Sequence, residues 1–476
     1  MFNYLSIIKK ENIMSNNEEY LAQRQLKKGA AGWILLAGLG VSYVISGDFA
    51  GWNFGIAQAG WGGFVIAAVL MGIMYLTLVL SLAEMSAAIP AAGGGYSFAR
   101  QAMGPAGGYL TGLAVLIEYT LAPAAIVIFI GSAVNELIGI DGPIVYALFY
   151  LIFVGIHIFG TGEALKVMMV ISGLAVLAII ATAVVLLPEF DAARLFDIEP
   201  AVNGTEFLPM GYYGVWAALP FAMWLFLAVE GVPLAAEEAK DPAKDVPKGI
   251  IAAMIFLLFT AVLVVVLVTG AAGAQVMGES AVPLVDALNM TGHNNVATMV
   301  NVLGLAGLIA SFFSIIYGYS RLVFALSRAG YLPKNLSLTS KRKVPVRSLV
   351  YPGILGFVIS LTGEGDLILS MAVVGATVSY AMMSGSHILL RIKQPELKRP
   401  YKTPGGIVTS GISFVLSLVA LSGVYAYDVR AFFFTLALFA VGMAYYFFIG
   451  RNNLVAATAE EEFALLSQAE DELASA

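Results

Sequence analysis

Long hydrophobic runs separated by short polar segments cover most of this chain. About twelve of them are long enough to cross the roughly 30 Å hydrocarbon core of a bilayer as helices. They lack the short alternating segments of a membrane β-barrel. The pattern therefore predicts an all-α polytopic membrane protein, whose spans 1 to 12 are, in order, residues 31–57, 61–88, 106–137, 143–160, 165–188, 211–236, 248–273, 296–327, 348–363, 367–390, 407–427 and 431–450.

The composition agrees with a membrane protein and excludes several kinds of site chemistry. Of 476 residues, 59% are hydrophobic and 12% are charged, whereas soluble proteins carry about 25% charged residues. The absence of cysteine excludes disulfides and thiolate chemistry. The three histidines are far apart in the sequence and form no metal-ligand motif. Neither a metal nor a cofactor is therefore expected.

The basic residues indicate how the chain is oriented. Of the 25 Lys and Arg residues, all but Arg194, Arg321 and Arg430 lie in or beside the N-terminal tail, alternate loops or the C-terminal tail. Positive charge is retained on the cytoplasmic side, so both termini are predicted to be cytoplasmic. The clusters are interpreted as topology determinants, and no nucleic-acid partner is expected. Residues 1–20 lack the pattern of a cleaved signal peptide, so span 1 is expected to direct insertion into the cell (inner) membrane.

Three regions of different composition define the predicted domain organisation. Residues 1–30 form a cytoplasmic N-terminal tail, and residues 31–450 form one transmembrane domain in contact with the lipid bilayer. Residues 451–476 are rich in alanine and acidic side chains, which is typical of a solvated tail.

Two of the predicted spans carry an acidic residue next to glycine. Asp48 follows Gly47 near the middle of span 1, and Glu230 lies in span 6 beside Gly231 and before Pro233. An acid at bilayer depth is costly and is by default a candidate functional residue. Interrupted hydrophobic segments at corresponding positions of two halves point to the binding site of a transporter. The two segments therefore predict one site between broken helices.

Four segments of the chain resemble the motifs of one family. Ser46-Gly47-Asp48-Phe49 matches a Ser-Gly-x-Phe core in span 1, and the other segments follow in the family's order at 83–96, 226–242 and 320–333. Together they resemble the amino acid–polyamine–organocation (APC) superfamily over nearly the whole chain. The resemblance implies a secondary active transporter that works by alternating access. Its fold would be a 5+5 inverted repeat, about 31–188 and 211–390, with broken helices 1 and 6 and peripheral spans at 407–450.

The acidic residues of the central spans indicate the substrate class. Asp48 replaces the apolar residue that follows Ser-Gly in the family, and Glu118 lies in the middle of span 3. Negative charge beside the span 1 amides repels a carboxylate and favours a cation. With Glu230, three acids are expected to face one cavity. Asp48 is either a substrate or gate contact or an acid that stabilises the unwound segment. Glu118 is either a ligand or an acid paired with Tyr or Ser. Glu230 has a structural or proton-linked role, and the alternative is direct contact with the substrate.

Other residues complete the predicted site. The indole of Trp224 would hold an ammonium group by cation–π attraction or would simply pack between helices. The substrate site implied by the resemblance comprises Ser46, Gly47, Asp48, Glu118, Tyr119, Trp224, Phe226, Ala228 and Glu230. Gating or coupling is assigned to Glu84, Trp224, Glu230 and Arg321.

Within the family, the runs 45–55 and 117–125 are most similar to the bacterial ethanolamine permease group. The expected substrate is therefore ethanolamine or a related small amine, and the alternative is an amino-acid or polyamine permease of the same fold. A membrane-embedded enzyme or sensor is disfavoured because neither a metal cluster nor a Ser/Lys dyad is found. Ser311 and Ser314 are the available hydroxyls for a sodium site, but protons or exchange are the expected driving force. The oligomeric state stays open.

Overall fold

The computed structural model describes residues 23–455, and every regular element in this range is a helix. Residues 1–22 of the predicted N-terminal tail and residues 456–476 of the predicted acidic tail lie outside the described residues. Between residues 23 and 455, nine helices are long and apolar enough to cross a membrane. Three shorter apolar helices complete the predicted set: Trp33–Val44, Pro143–Phe159 and Val346–Ser360.

The helices follow the predicted spans closely. Spans 3, 5, 8 and 10 to 12 correspond to Gly95–Ile138, Thr161–Leu186, Asn294–Arg328, Gly365–Lys393, Ile407–Tyr427 and Val429–Phe448. Span 7 is Pro242–Leu263, which continues through a π-helical turn at Val264–Val268 into Thr269–Ala272. Short helices lie in the connections: Leu187–Glu189, Ala192–Phe196, Ala274–Glu279, Pro283–Met290, Lys334–Ser337 and Gly450–Asn453.

Two glycines divide helices that are otherwise continuous. Gly60 (φ 70°) separates the end of span 1 from span 2 within the helix Asn53–Ala88. Gly104 (φ 77°) separates a short segment from the start of span 3. A positive φ costs glycine little because it has no Cβ. These two residues explain why the predicted spans begin at 61 and 106.

Spans 1 and 6 are both interrupted. Span 1 consists of Trp33–Val44 and Ser46–Phe49, and its helix stops where Ala50 is extended and Gly51 has a φ of 98°. Span 6 consists of Gly211–Ala217, Leu219–Trp224 and a 3-10 helix at Val229–Glu238, with the non-glycine residue Ala228 at a φ of 75° before the last segment. Such breaks free backbone groups that an intact helix would occupy.

The packing of the spans repeats when spans 1 to 5 are exchanged, in order, with spans 6 to 10. Span 3 packs against span 10 as span 8 packs against span 5. Span 1 packs against span 7, and span 6 packs against span 2, where the rings of Phe226 and Tyr75 lie 5.6 Å apart. This arrangement brings the two breaks to the centre of the molecule. The side of the protein on which span 1 begins is called the N-terminal side below.

Candidate functional site

Two glutamates and two tyrosines meet at the break in span 6. The Tyr119 hydroxyl donates to Glu230 Oε1 at 2.8 Å, and the Tyr380 hydroxyl lies 2.9 Å from Glu230 Oε2 and 3.1 Å from Glu118 Oε1. All four side chains are buried. Span 3 supplies Glu118 and Tyr119 and span 10 supplies Tyr380, so three helices converge on Glu230. These four residues are called the acid–tyrosine cluster.

The same tyrosines bind the backbone of the break. The amide of Ala228 donates to the Tyr380 hydroxyl at 3.4 Å, and its carbonyl lies 3.3 Å from the Tyr119 hydroxyl. The chain approaches closely here, because a methyl group on Gly231 would lie 2.4 Å from the Tyr119 hydroxyl. The left-handed turn at Ala228 thus places Glu230 and its own backbone against one pair of hydroxyl groups.

One tyrosine hydroxyl lies between the two acids. A tyrosine hydroxyl has one proton to donate, yet that of Tyr380 is within bonding distance of carboxyl oxygens from both Glu118 and Glu230. It donates to one of them at a time, while it accepts from the amide of Ala228 and lies 3.3 Å from the Tyr75 hydroxyl. The remaining oxygen, Glu118 Oε2, has no hydrogen-bond partner among residues 23–455. The cluster therefore places two carboxyl groups on one hydroxyl donor and leaves one carboxyl oxygen without a partner among the described residues.

Aromatic rings surround these acids. The ring of Tyr43 in span 1 lies 5.9 Å from that of Tyr119, and the ring of Tyr75 in span 2 lies 5.2 Å from that of Tyr380. Aromatic faces beside carboxylates suit an organic ammonium group, because both attract a cation. Phe226 packs on Tyr75, so it contributes to the outer part of this wall.

Asp48 lies apart from the acid–tyrosine cluster. It is buried, neither of its carboxyl oxygens has a hydrogen-bond partner in the described part of the chain, and the polar side chain facing it is Thr260 of span 7. Helix rotation explains this placement. Ser46 donates its amide to Ser311 of span 8 at 3.0 Å, and two residues further on a helix has turned by about 200°. The structure therefore brings together Glu118 and Glu230 but not all three acids.

Trp224 of span 6 packs against the glycines of span 1, so that the two breaks are in contact. The indole Nε1 of Trp224 donates to the carbonyl of Ala50 at 3.0 Å. A methyl group on Gly47 would come within 2.6 Å of the Trp224 carbonyl, and one on Gly51 would lie 2.6 Å from the indole ring. Trp224 thus seals one break against the other, and the glycines allow this close approach.

The hydroxyls considered for a sodium site are engaged within the protein. Ser311 Oγ donates to the carbonyl of Ser42 at 3.0 Å while it accepts from the amide of Ser46. Ser314 Oγ donates to the carbonyl of Ala310 at 2.7 Å.

A buried ion pair lies beneath the cluster on the N-terminal side. Arg321 of span 8 donates to both carboxyl oxygens of Glu238, at 3.2 and 3.0 Å, and its guanidinium lies 4.0 Å from the ring of Tyr317. The Tyr317 hydroxyl also donates to Glu238. A second pair, Arg328 with Glu237, has contacts of 3.0 and 2.6 Å. Spans 6 and 8 are therefore held together at this side.

The sequence analysis assigned both Glu84 and Arg321 to gating or coupling. In the structure, Glu84 belongs to a different cluster. Its carboxylate accepts from Arg391 at 2.7 and 2.5 Å, lies 3.0 Å from Arg399, and accepts from the amide of Thr403 at 2.6 Å. It ties span 2 to span 10 and to the segment that follows it.

The sequence analysis did not single out Tyr380 or Glu238. No motif marks Tyr380, one of 21 tyrosines. Glu238 lies in the segment 226–242 that resembles the family motif, and its acidic charge could have been matched with Arg321.

A cleft of about 230 Å³ reaches the break of span 1 from the side opposite the ion pairs. Its walls come from spans 1, 3 and 8 and the connection before span 8, and include Phe49, Gly51, Phe54, Phe129, Val285 and Gly304. The cleft and the two buried ion pairs therefore lie on opposite sides of the broken spans.

A multi-pass helical membrane protein with two broken spans around a polar centre belongs to the class of secondary transporters. The profile of the amino acid permease family matches residues 33–455, and the chain belongs to that family. Members of this family share a fold of twelve spans in a 5+5 inverted repeat with broken helices 1 and 6. The chain is thus a secondary transporter of the amino-acid permease type, which acts on a small molecule in a membrane.

Named relatives support the same assignment. The chain is 28% identical to the branched-chain amino acid permease BcaP of Bacillus subtilis, over 94% of this chain and 98% of the relative. It is 27% identical to an uncharacterized transporter of Rhizobium meliloti, over 81% and 84% of the two chains. It is 26% identical to the methylthioribose transporter of Bacillus subtilis, over 76% and 79%.

Proposed function

We propose that this transporter carries a small amine cation, most specifically ethanolamine, and that Glu118 binds its ammonium group. The observation that carries the proposal is the oxygen Glu118 Oε2, which has no hydrogen-bond partner among residues 23–455 and is buried among aromatic rings beside a second acid. An ammonium group has three donors or more to offer such a site, and the rings of Tyr43 and Tyr119 would add cation–π attraction.

The surroundings of the cluster disfavour a substrate carboxylate. Two acids nearby would repel a second negative group, and such repulsion is an effective means of rejecting the wrong substrate. A hydroxyl in place of the carboxylate removes this repulsion, which favours ethanolamine over alanine.

The proposal is tested by uptake of labelled ethanolamine into proteoliposomes. Unlabelled ethanolamine should compete far better than alanine, leucine or glutamate, with choline and putrescine as probes of size and charge. Strong and selective uptake of alanine would overturn the assignment.

The second candidate function is transport of a branched-chain amino acid. It is favoured by the similarity to BcaP along nearly the whole chain. The same assay separates the two candidates, because a branched-chain amino acid permease would take up labelled leucine and would ignore ethanolamine.

We infer that transport is driven by protons or by exchange, with alternating access between the cleft and the N-terminal side. The contact of Glu118 and Glu230 with the one Tyr380 hydroxyl supports a proton-linked role for Glu230, because two buried acids this close favour a proton held between them. Uptake that needs a sodium gradient and ignores a pH gradient would contradict this inference.

The N-terminal side is proposed to face the cytoplasm of a bacterial cell, with the inner membrane as location. The chain has no cysteine, so single cysteines can report sidedness. In intact cells, an impermeant maleimide should label Val202→Cys, a fully exposed position, but not Lys398→Cys. The reverse pattern would invert the topology.

A further inference from the structure

A groove on the lipid-facing surface ends in a basic pocket on the N-terminal side. We propose that the two together bind one anionic phospholipid, with its headgroup in the pocket and an acyl chain in the groove. Nothing in the proposed transport function depends on this site, and the two are tested separately.

The groove runs between spans 4 and 9 and has a volume of about 390 Å³. On span 4 its wall begins at Ala147 and ends at Ile158, a rise of about 16 Å. That length is comparable to half the roughly 30 Å hydrocarbon core. Leu151 and Ile354 on its two sides are 74% and 55% exposed, so the groove faces the place that lipid chains occupy.

The pocket begins one residue beyond the groove. It has a volume of about 580 Å³ and is lined by Phe159, Gly160, Glu163, Lys27, Lys341, Arg342 and Lys343. Four cationic side chains face one carboxylate there, so the pocket carries a net positive charge. Phe159 is 66% exposed and stands between the apolar groove and the basic pocket, where a lipid changes from acyl chain to headgroup.

The backbone holds these basic groups together. Thr339 donates its amide and its hydroxyl to the carbonyl of Gln23, at 3.2 and 3.0 Å, which joins the loop before span 9 to the segment before span 1. The turn that follows puts the non-glycine residue Lys343 at a φ of 59° and closes with its amide 2.8 Å from the carbonyl of Ser340. Two distant segments are thus fixed around one cavity.

Arg342 links the pocket to the end of span 4. Its guanidinium donates to the Phe159 carbonyl at 2.8 Å and lies 5.6 Å from the centre of the Phe159 ring. Basic pockets between membrane helices are a recognised setting for phospholipid headgroups. A phosphate ester with a glycerol backbone fits both features, whereas a soluble anion uses only the pocket.

The charge of the pocket is tested with the double variant Lys27→Gln/Lys341→Gln. Both lysines are exposed, so the fold should persist. Native mass spectrometry of the intact transporter would measure binding of phosphatidylglycerol and of phosphatidylcholine. We expect wild type to prefer phosphatidylglycerol at least tenfold. The double variant should lose more than tenfold in affinity for it, from a contribution of about fivefold per charge. The matched control Lys248→Gln/Lys398→Gln removes two exposed lysines of the same side that do not line the pocket.

The groove is tested with Gly155→Phe. A Cβ at Gly155 meets nothing within 4 Å, so the ring can fill the groove without disturbing the helices. It should reduce lipid binding at least fivefold, whereas Gly173→Phe, at a lipid-facing glycine of span 5 with equal space, should not. Equal binding of the two lipids, or phosphatidylglycerol binding unchanged in both test variants, would overturn the proposal. So would inorganic phosphate that displaces the lipid at millimolar concentration, since that marks a simple anion site.

Discussion

The two broken spans each contain an acid, and the two acids have opposite surroundings. Glu230 at the break of span 6 accepts hydrogen bonds from Tyr119 and Tyr380. Asp48 at the break of span 1 is equally buried but has no hydrogen-bond partner in the described part of the chain. The difference comes from what each turn faces: span 6 presents its acid to spans 3 and 10, whereas span 1 turns Asp48 towards span 7. A position beside a helix break does not by itself assign a role.

The largest effect is expected from the removal of Glu230, the acid that is hydrogen-bonded by two tyrosines. Glu230→Ala deprives the Tyr119 hydroxyl of its shortest bond and leaves a void at the break. The Tyr119 hydroxyl keeps only its longer contact with the Ala228 carbonyl, at 3.3 Å. A weakened buried hydrogen bond together with a void should cost about 1–3 kcal/mol, so thermal unfolding in detergent should show a loss of stability in this range and transport should cease. Glu230→Gln is the control, since its amide oxygen still accepts. Equal stability of the alanine variant and wild type would mean that Glu230 does not support the break.

The next effect concerns ligand binding. Glu118→Gln keeps the shape of the side chain but removes its charge, so ethanolamine should bind at least about 1.5 kcal/mol more weakly, as expected for a lost hydrogen bond to a charged partner. Isothermal titration of the purified protein measures this directly. Unchanged affinity would remove Glu118 from the substrate site.

A smaller change in affinity is expected for Glu230→Gln, together with a change in pH dependence. The amide fixes a neutral side chain, so ethanolamine affinity should stay within about tenfold, or 1.4 kcal/mol. The pH dependence of uptake should become flatter, because protonation no longer links the break to the transport cycle. If binding is abolished while the pH profile matches wild type, Glu230 is a direct ligand and the coupling role is wrong.

The comparison of the two breaks also shows which features of the structure can be predicted from the sequence. Hydrophobic runs predicted all the spans. Gly47 in span 1 and Gly231 with Pro233 in span 6 indicated where the two helices are interrupted, because glycine and proline are visible in the sequence itself. The pairing of Glu118 with Glu230 follows from the family resemblance and from the span on which each residue lies. Tyr380 and the orientation of Asp48 were not predictable in this way. Which tyrosine reaches an acid across three helices depends on packing and helix rotation, and no local pattern records either.

The smallest effect is expected at Asp48, and it decides between two views of that residue. A substrate ligand would lose about 1.5 kcal/mol or more on Asp48→Asn, as at Glu118. The structure instead sets Asp48 beside Thr260, away from the acid–tyrosine cluster. Since a buried carboxyl without partners is costly, the neutral amide should leave ethanolamine affinity within about twofold and should maintain or raise the unfolding temperature. Isothermal titration measures the ethanolamine affinity, and thermal unfolding measures the unfolding temperature. Thr260→Val, which changes the side chain that faces Asp48, is the matched control. If Asp48→Asn loses tenfold in affinity and Thr260→Val does not, Asp48 belongs to the substrate site.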